Sequence, residues 1–216
     1  MLDTYSYRGT DIAEQVKNKF GDLGGVQITD EMILSWINNG QRDIAATSNF
    51  LQRLASTDVI ANQAMYALDT LFANQRMLGY EQITLDGEPV KMLQFGDFQK
   101  RLRSDTSVED AIGAIWENAL YLWPVPVSDL ADGLTIYYHA YPADLGSITD
   151  TLTVPDRFFN ILIDYVHSEA LEVEESFEAA AAVKQRAAIG LRGELERDTI
   201  SPTAFYPTIT VDPDEY

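Results

Sequence analysis

Residues 76–95 read RMLGYEQITLDGEPVKMLQF, and the dipeptide Asp86-Gly87 at their centre separates two β-rich runs. Asx-Gly between such runs is the strongest short-range signal for a tight hairpin. The spacing predicts strands over 77–85 and 89–95. Their alternation is imperfect, because Leu78 and Tyr80 share one phase while Ile83 and Leu85 share the other. A bulge, or burial on both faces, accounts for that.

Downstream, the mixed-charge stretch GDFQKRLRSDTSVED (96–110) leads into AIWENALYLWPVPV (114–127), read as a further strand that Pro124 and Pro126 end. In GLTIYYHAYP (133–142), Leu134, Ile136 and Tyr138 alternate with Thr135, Tyr137 and His139. That is the period of a half-buried strand. The expectation is a small antiparallel sheet of about four strands within 77–141.

The flanks are helical. TDIAEQVKNKF (10–20) predicts a helix over 11–20, with Thr10 as N-cap and Gly21 at the left-handed stop. TDEMILSWINNGQRDIAAT (29–47) has Thr29 as cap, Asp30 and Glu31 in the first turn, and a stripe of Ile33, Ile37 and Ile44. FLQRLA (50–55) extends this helix to 53 in the expected boundaries, and STDVIANQ (56–63) reads as turn or loop. Residues 155–198 recur in apolar spacing of three to four from Phe158 to Leu195, with Pro155 at the start. Two stacked helices and one bent helix both fit. Pro202, Pro207 and Pro213 exclude a helix from the segment 199–216, which is expected to be extended. The fold class is therefore α+β: a helical bundle with long C-terminal helices, an inserted small antiparallel β-sheet and an extended tail, with 1–198 as a single domain.

Composition narrows the function. A chain of 216 residues with 46% hydrophobic content has the means to fold without disulfides or a structural metal. With no cysteine, thiolate zinc sites, iron–sulfur clusters and cysteine nucleophiles are excluded. A formal charge of −19 opposes tight binding to phosphate backbones. There is no run of about 18 apolar residues and no signal-peptide pattern, so neither a membrane partner nor standard secretion is expected.

Candidate chemistry is sparse. His139 fits an aromatic sheet face. Asp164 and His167 have the spacing of half a di-metal site, but a bundle site of that kind needs a second such pair, and the chain has only these two histidines. Glu169, Glu172, Glu175 and Glu178 recur every third residue, which gives a drifting solvated ridge rather than converging ligands. Asp129 and Asp132 precede Gly133 without the dense carboxylates of a calcium loop, and phosphate-loop, dinucleotide and nucleophile-elbow motifs are missing. No catalytic, cofactor or metal residue is assigned. Trp116, Tyr121, Trp123 and Tyr137 are more numerous than one core face needs, and are candidates for a subunit contact.

The order of these parts carries more than any single residue. TDEMILSWINNGQRDIAA, a DG hairpin, LYLWPVPV, LTIYYHAYP and then TVPDRFFNILIDYVHSEAL is similar to the head-to-tail adaptor (connector) proteins of tailed bacteriophages, over about 29–182. The resemblance implies a virion protein of the neck, made in the host cytoplasm. It implies a homo-oligomeric ring, commonly of 12 subunits, docked beneath the portal protein. The ring extends the DNA channel, through which DNA passes without specific binding, and serves as a platform for the next tail or neck component. It also implies that the C-terminal segment, with Phe205, Tyr206, Ile209 and Val211, engages the portal. The glutamate ridge then becomes a candidate channel surface. The alternatives are another neck or tail component, such as a stopper or tail completion protein, and a carboxylate- or metal-dependent hydrolase using Asp164.

Overall fold

The computed structural model of the chain describes residues 7–21, 27–72, 76–104 and 110–199. In chain order the elements are α1 (Gly9–Phe20), α2 (Asp30–Ser48), β1 (Gln52–Val59), β2 (Met65–Ala67), α3 (Leu68–Leu71), β3 (Met77–Leu85), β4 (Glu88–Pro89) and β5 (Lys91–Met92). They continue with α4 (Phe95–Ser104), β6 (Ile112–Trp116), β7 (Ala119–Trp123), β8 (Leu130–Ala140), a 3-10 turn (Asp156–Phe158), α5 (Phe159–Val173) and α6 (Phe177–Thr199). The chain packs as two compact units, Met1–Ile44 with Asp144–Tyr216 and Ala45–Ala143.

The hairpin turn forms as expected. Asp86 and Gly87 have φ of 53° and 79°, the left-handed pair that a type I′ turn requires. A Gly87→Ala substitution places a Cβ in that region and should cost about 1–2 kcal/mol, read as a lower urea midpoint with an unchanged slope.

The returning strand is much shorter than 89–95. Pro89 lacks the N–H that would extend the ladder, and Val90 turns into the core at 7% exposure. Lys91 and Met92 then join a different sheet, parallel to β6, and Phe95 opens a helix. The sheet expectation is thus corrected in number and direction: two four-stranded sheets, ordered β1-β8-β3-β4 and β2-β7-β6-β5, with one parallel pair in the second. The reading of 114–127 as one strand is corrected too. Glu117 and Asn118 both take positive φ and fold it into the β6–β7 hairpin.

The alternation in β8 holds: Leu134, Ile136, Tyr138 and Ala140 are buried, and Tyr137 faces out. They share one core with Ile83 of β3, Tyr66 of β2, and Leu120 and Leu122 of β7. The irregular phase in β3 is explained by register shifts between Met77 and Gly79 and between Tyr80 and Gln82.

The expected helix over 30–53 stops at Ser48. Asn49 takes φ of 52°, and 52–59 pairs along β8 as β1, so the sheet-rich part starts well before 77. Local helix propensity in FLQRLA is overridden by a long-range ladder that a window on the sequence does not contain.

In the other unit, α1 starts at Gly9, and Asp11 rather than Thr10 caps it, its carboxylate accepting the Arg8 N–H at 2.7 Å. Thr29 caps α2 as expected, its hydroxyl accepting the Met32 N–H at 3.3 Å. Ile33, Ile37 and Ile44 are buried. Gly40 admits α5 closely, since a Cβ there would sit 2.6 Å from Leu162 Cδ1. The C-terminal helical stretch is two packed helices, not one bent helix. The break falls at Glu175, with φ of 60°, and the Ser176 N–H donates back to the Leu171 carbonyl at 3.0 Å.

Candidate interaction surfaces

On β6 and β7, strand alternation sends Ile112, Ala114, Trp116, Ala119, Tyr121 and Trp123 to one face. Helix α4 lies over part of it, burying Phe98 against Ile112 and Ala114. Phe95, also on α4, stacks on Trp116 with ring centroids 5.0 Å apart and meets Tyr121 at 5.4 Å. Trp116 nevertheless stays 49% exposed. Towards the Trp123 end of the face is an apolar recess of about 230 Å³, lined by Phe98 and Leu102 of α4 together with Tyr121, Trp123 and Val125.

Three of the four aromatic candidates therefore share one surface. Tyr137 does not join them. It lies on β8 in the other sheet, 41% exposed and directly opposite the exposed Leu54 of β1. Sequence order made β7 and β8 look like neighbours, but they pair into different sheets. The contribution of α4 went unread. Its signal was present: Phe95, Phe98 and Leu102 fall on one helical face, with Asp97 in the first turn and Arg101 and Arg103 in the last.

The four glutamates do not form one ridge, because α5 ends at Val173. Lys184 of α6 reaches both Glu169 at 3.1 Å and Glu172 at 2.6 Å. Its hydrogen bond to Glu172 is the main cause of a raised Lys184 pKa. Glu175 occupies the turn, and Glu178 opens α6, where a carboxylate favours the helix N-terminus.

Asp164 is taken by a salt bridge. The Arg186 guanidinium donates to both its oxygens, at 2.7 and 2.5 Å, and Lys19 lies 3.8 Å away. His167 stands next to this cluster with Nδ1 buried and unpartnered among the described residues. Burial, followed by the nearby Lys19 charge and, more weakly, Arg186, holds its pKa below the ordinary value of 6.5 against the opposing pull of Asp164. A histidine kept neutral in the fold binds a proton more readily when unfolded, so stability falls as pH drops below about 6.5 and towards the folded-state pKa. The unfolding temperature should decline between about pH 7.5 and 5.5, and His167→Gln should flatten that decline in a calorimetric pH series.

His139 is satisfied in place: Nδ1 lies 2.9 Å from the Asn49 carbonyl oxygen and Nε2 3.2 Å from Glu81. Asp129 braces a loop by accepting the Ala61 N–H at 2.7 Å. Among the described residues there is no group of three or more histidines and carboxylates placed to hold a metal ion, and no helix is long and apolar enough to cross a membrane. Phe205, Tyr206, Ile209 and Val211 lie outside the described residues.

With Asp164, Glu169 and Glu172 paired with cations and the Trp116 face left open on its sheet, this α+β protein presents a surface suited to contact with other proteins. The chain belongs to the SU10 adaptor protein family, which it matches over residues 7–208. This is a family of phage adaptor proteins, so the resemblance drawn from the order of the elements is borne out, and the chain is a structural adaptor component of a phage virion. A comparison with curated proteins finds no match.

Proposed function

We propose that this chain is the subunit of a head-to-tail adaptor ring that docks beneath the portal, extends the DNA channel and presents a platform to the next tail or neck component. The observation that carries this reading is the family match across 7–208, which takes in both compact units. In this arrangement α1, α2, α5 and α6 form the bundle next to the portal, and the β-rich unit offers Trp116, Tyr121 and Trp123 to an adjoining subunit. Heterologous contacts of that kind repeat around an axis until the ring closes, at 12 copies if the portal sets the symmetry. The residues around Phe205, Tyr206, Ile209 and Val211 engage the portal by adding an extended segment to it.

The net charge of −19 supports a channel role. A conduit must pass DNA without holding it, and acidic walls repel phosphate. Glu175 and Glu178 are the better candidates for such a wall, since Lys184 already pairs with Glu169 and Glu172 and offsets half of their charge. The protein contributes surfaces rather than catalysis. Light scattering of the purified chain alone and mixed with portal rings, backed by negative-stain images, tests this. The expected result is a portal complex enlarged by a ring of adaptor subunits with an open centre. Chains that stay apart from the portal would overturn it.

A further inference from the structure

Three of the six lysines and arginines in 45–143 sit together on α4, as Lys100, Arg101 and Arg103, and all three are exposed. Lys100 pairs with Asp97 at 2.8 Å. Arg101 and Arg103 flank Leu102, which lines the apolar recess of about 230 Å³ together with Trp123. A cationic rim around an apolar hollow, on a chain of net charge −19, selects an acidic partner with an aliphatic side chain to insert.

The same unit carries such an element. Between β7 and β8 the chain runs Pro124-Val125-Pro126-Val127-Ser128-Asp129, and Val127 is 91% exposed. The loop is held on both sides of it: the Asn62 N–H donates to the Pro126 carbonyl at 2.8 Å, and the Ala61 N–H to the Asp129 carboxylate at 2.7 Å. A single exposed valine is ordinary, but one fixed outward on a braced loop needs little further ordering to enter a hollow. Ile60 and Leu130, 51% and 36% exposed, line a second recess with Asp58 and Asp129. No lysine or arginine occurs from 104 to 156, so the Val127 loop is acidic and apolar where α4 is basic and apolar.

We infer that Val127 of one copy inserts into the recess between Leu102 and Trp123 of the next copy, with Asp129 and Asp132 facing Arg101 and Arg103. Within its own copy Val127 stays out of that recess, which Val125 lines instead. The inference rests on the ring reading above and names the element that meets the Trp123 end of the aromatic face. Each copy gives one loop and receives one, so the contact repeats around an axis as a closed ring requires.

The absence of cysteine makes the test direct. Full-length chains carrying Val127→Cys alone and Leu102→Cys alone, one of them size-tagged, are mixed, assembled on portal rings and mildly oxidised. A covalent dimer of one chain of each kind is expected on a non-reducing gel. Val127→Cys mixed with Glu88→Cys, on β4 of the other sheet, is the control and should not give it. Charge supplies a second reading. Arg101→Glu/Arg103→Glu should move ring formation to about tenfold higher concentration. Adding Ser128→Lys/Asp132→Asn to the same chain, which leaves the Asp129 brace in place, should recover most of that shift. Rings that form on the portal without the crosslink, or a charge reversal that the second pair does not relieve, would overturn the inference and leave the ring reading standing. No rings from the unsubstituted chain would overturn the ring reading itself, and this contact with it.

Discussion

Phe158→Ala should be the most damaging single truncation in the helical unit, lowering stability by about 3–5 kcal/mol. Phe158 is completely buried and closes the 3-10 turn that feeds α5, with Pro155 before it and Arg157 placing its guanidinium 4.7 Å from the ring centroid. Truncation there removes the ring's packing on every side and leaves a void at the start of the helix, the position least able to relax because the turn and helix fix the backbone. Domains carry a net stability of only about 5–15 kcal/mol, so the loss is a large share of the total. The unfolding temperature should fall by roughly 6–20 °C for a chain of this size. Phe177→Ala is the comparison: the side chain is 64% exposed, and the expected change is within about 0.5 kcal/mol. Equal effects of the two variants in a calorimetric scan would mean that burial at the α5 entry does not carry the unit.

What could be read beforehand was local. Thr29, the isoleucine stripe of α2, the Asp86-Gly87 turn and the alternation in β8 each depend on residues within a few positions of one another, and each formed as expected. Failures came where a distant partner decides. β1 is a strand because residues 134–139 offer it a ladder, and nothing in QRLASTDV itself signals that. Val90 separates one hairpin from a second sheet, which depends on β6 being available about twenty residues later. The surface candidates divide in the same way. Abundant aromatics in 116–137 were visible, but their partition between two sheets is a property of topology, and so Tyr137 was grouped with rings it does not meet. The glutamate spacing assumed an unbroken helix, and the left-handed Glu175 cancels that assumption. Family membership was legible from the order of elements, since order survives errors of a few residues in each boundary.

Trp116→Ala should separate assembly from folding. Within the subunit, Trp116 makes one face-to-face contact, with Phe95, and half of its surface remains open, so the fold should lose about 1.5–2.5 kcal/mol, half of what a core tryptophan costs. At a subunit contact the same ring would be an anchor. Tryptophan at the centre of an interface commonly contributes 2 kcal/mol or more, equivalent to about a 30-fold weaker association. Ring formation on the portal, followed by mass photometry across a concentration series, should therefore shift to about 30-fold higher concentration in Trp116→Ala, while the variant stays folded at the assay temperature. Tyr137→Ala supplies the contrast, because that ring lies on the other sheet and is equally accessible. A large shift for Trp116 with little for Tyr137 assigns the subunit contact to the β6–β7 face. The reverse pattern moves it to the β1–β8 surface, and no shift in either removes both aromatic surfaces from the ring contact, leaving closure to the helical unit.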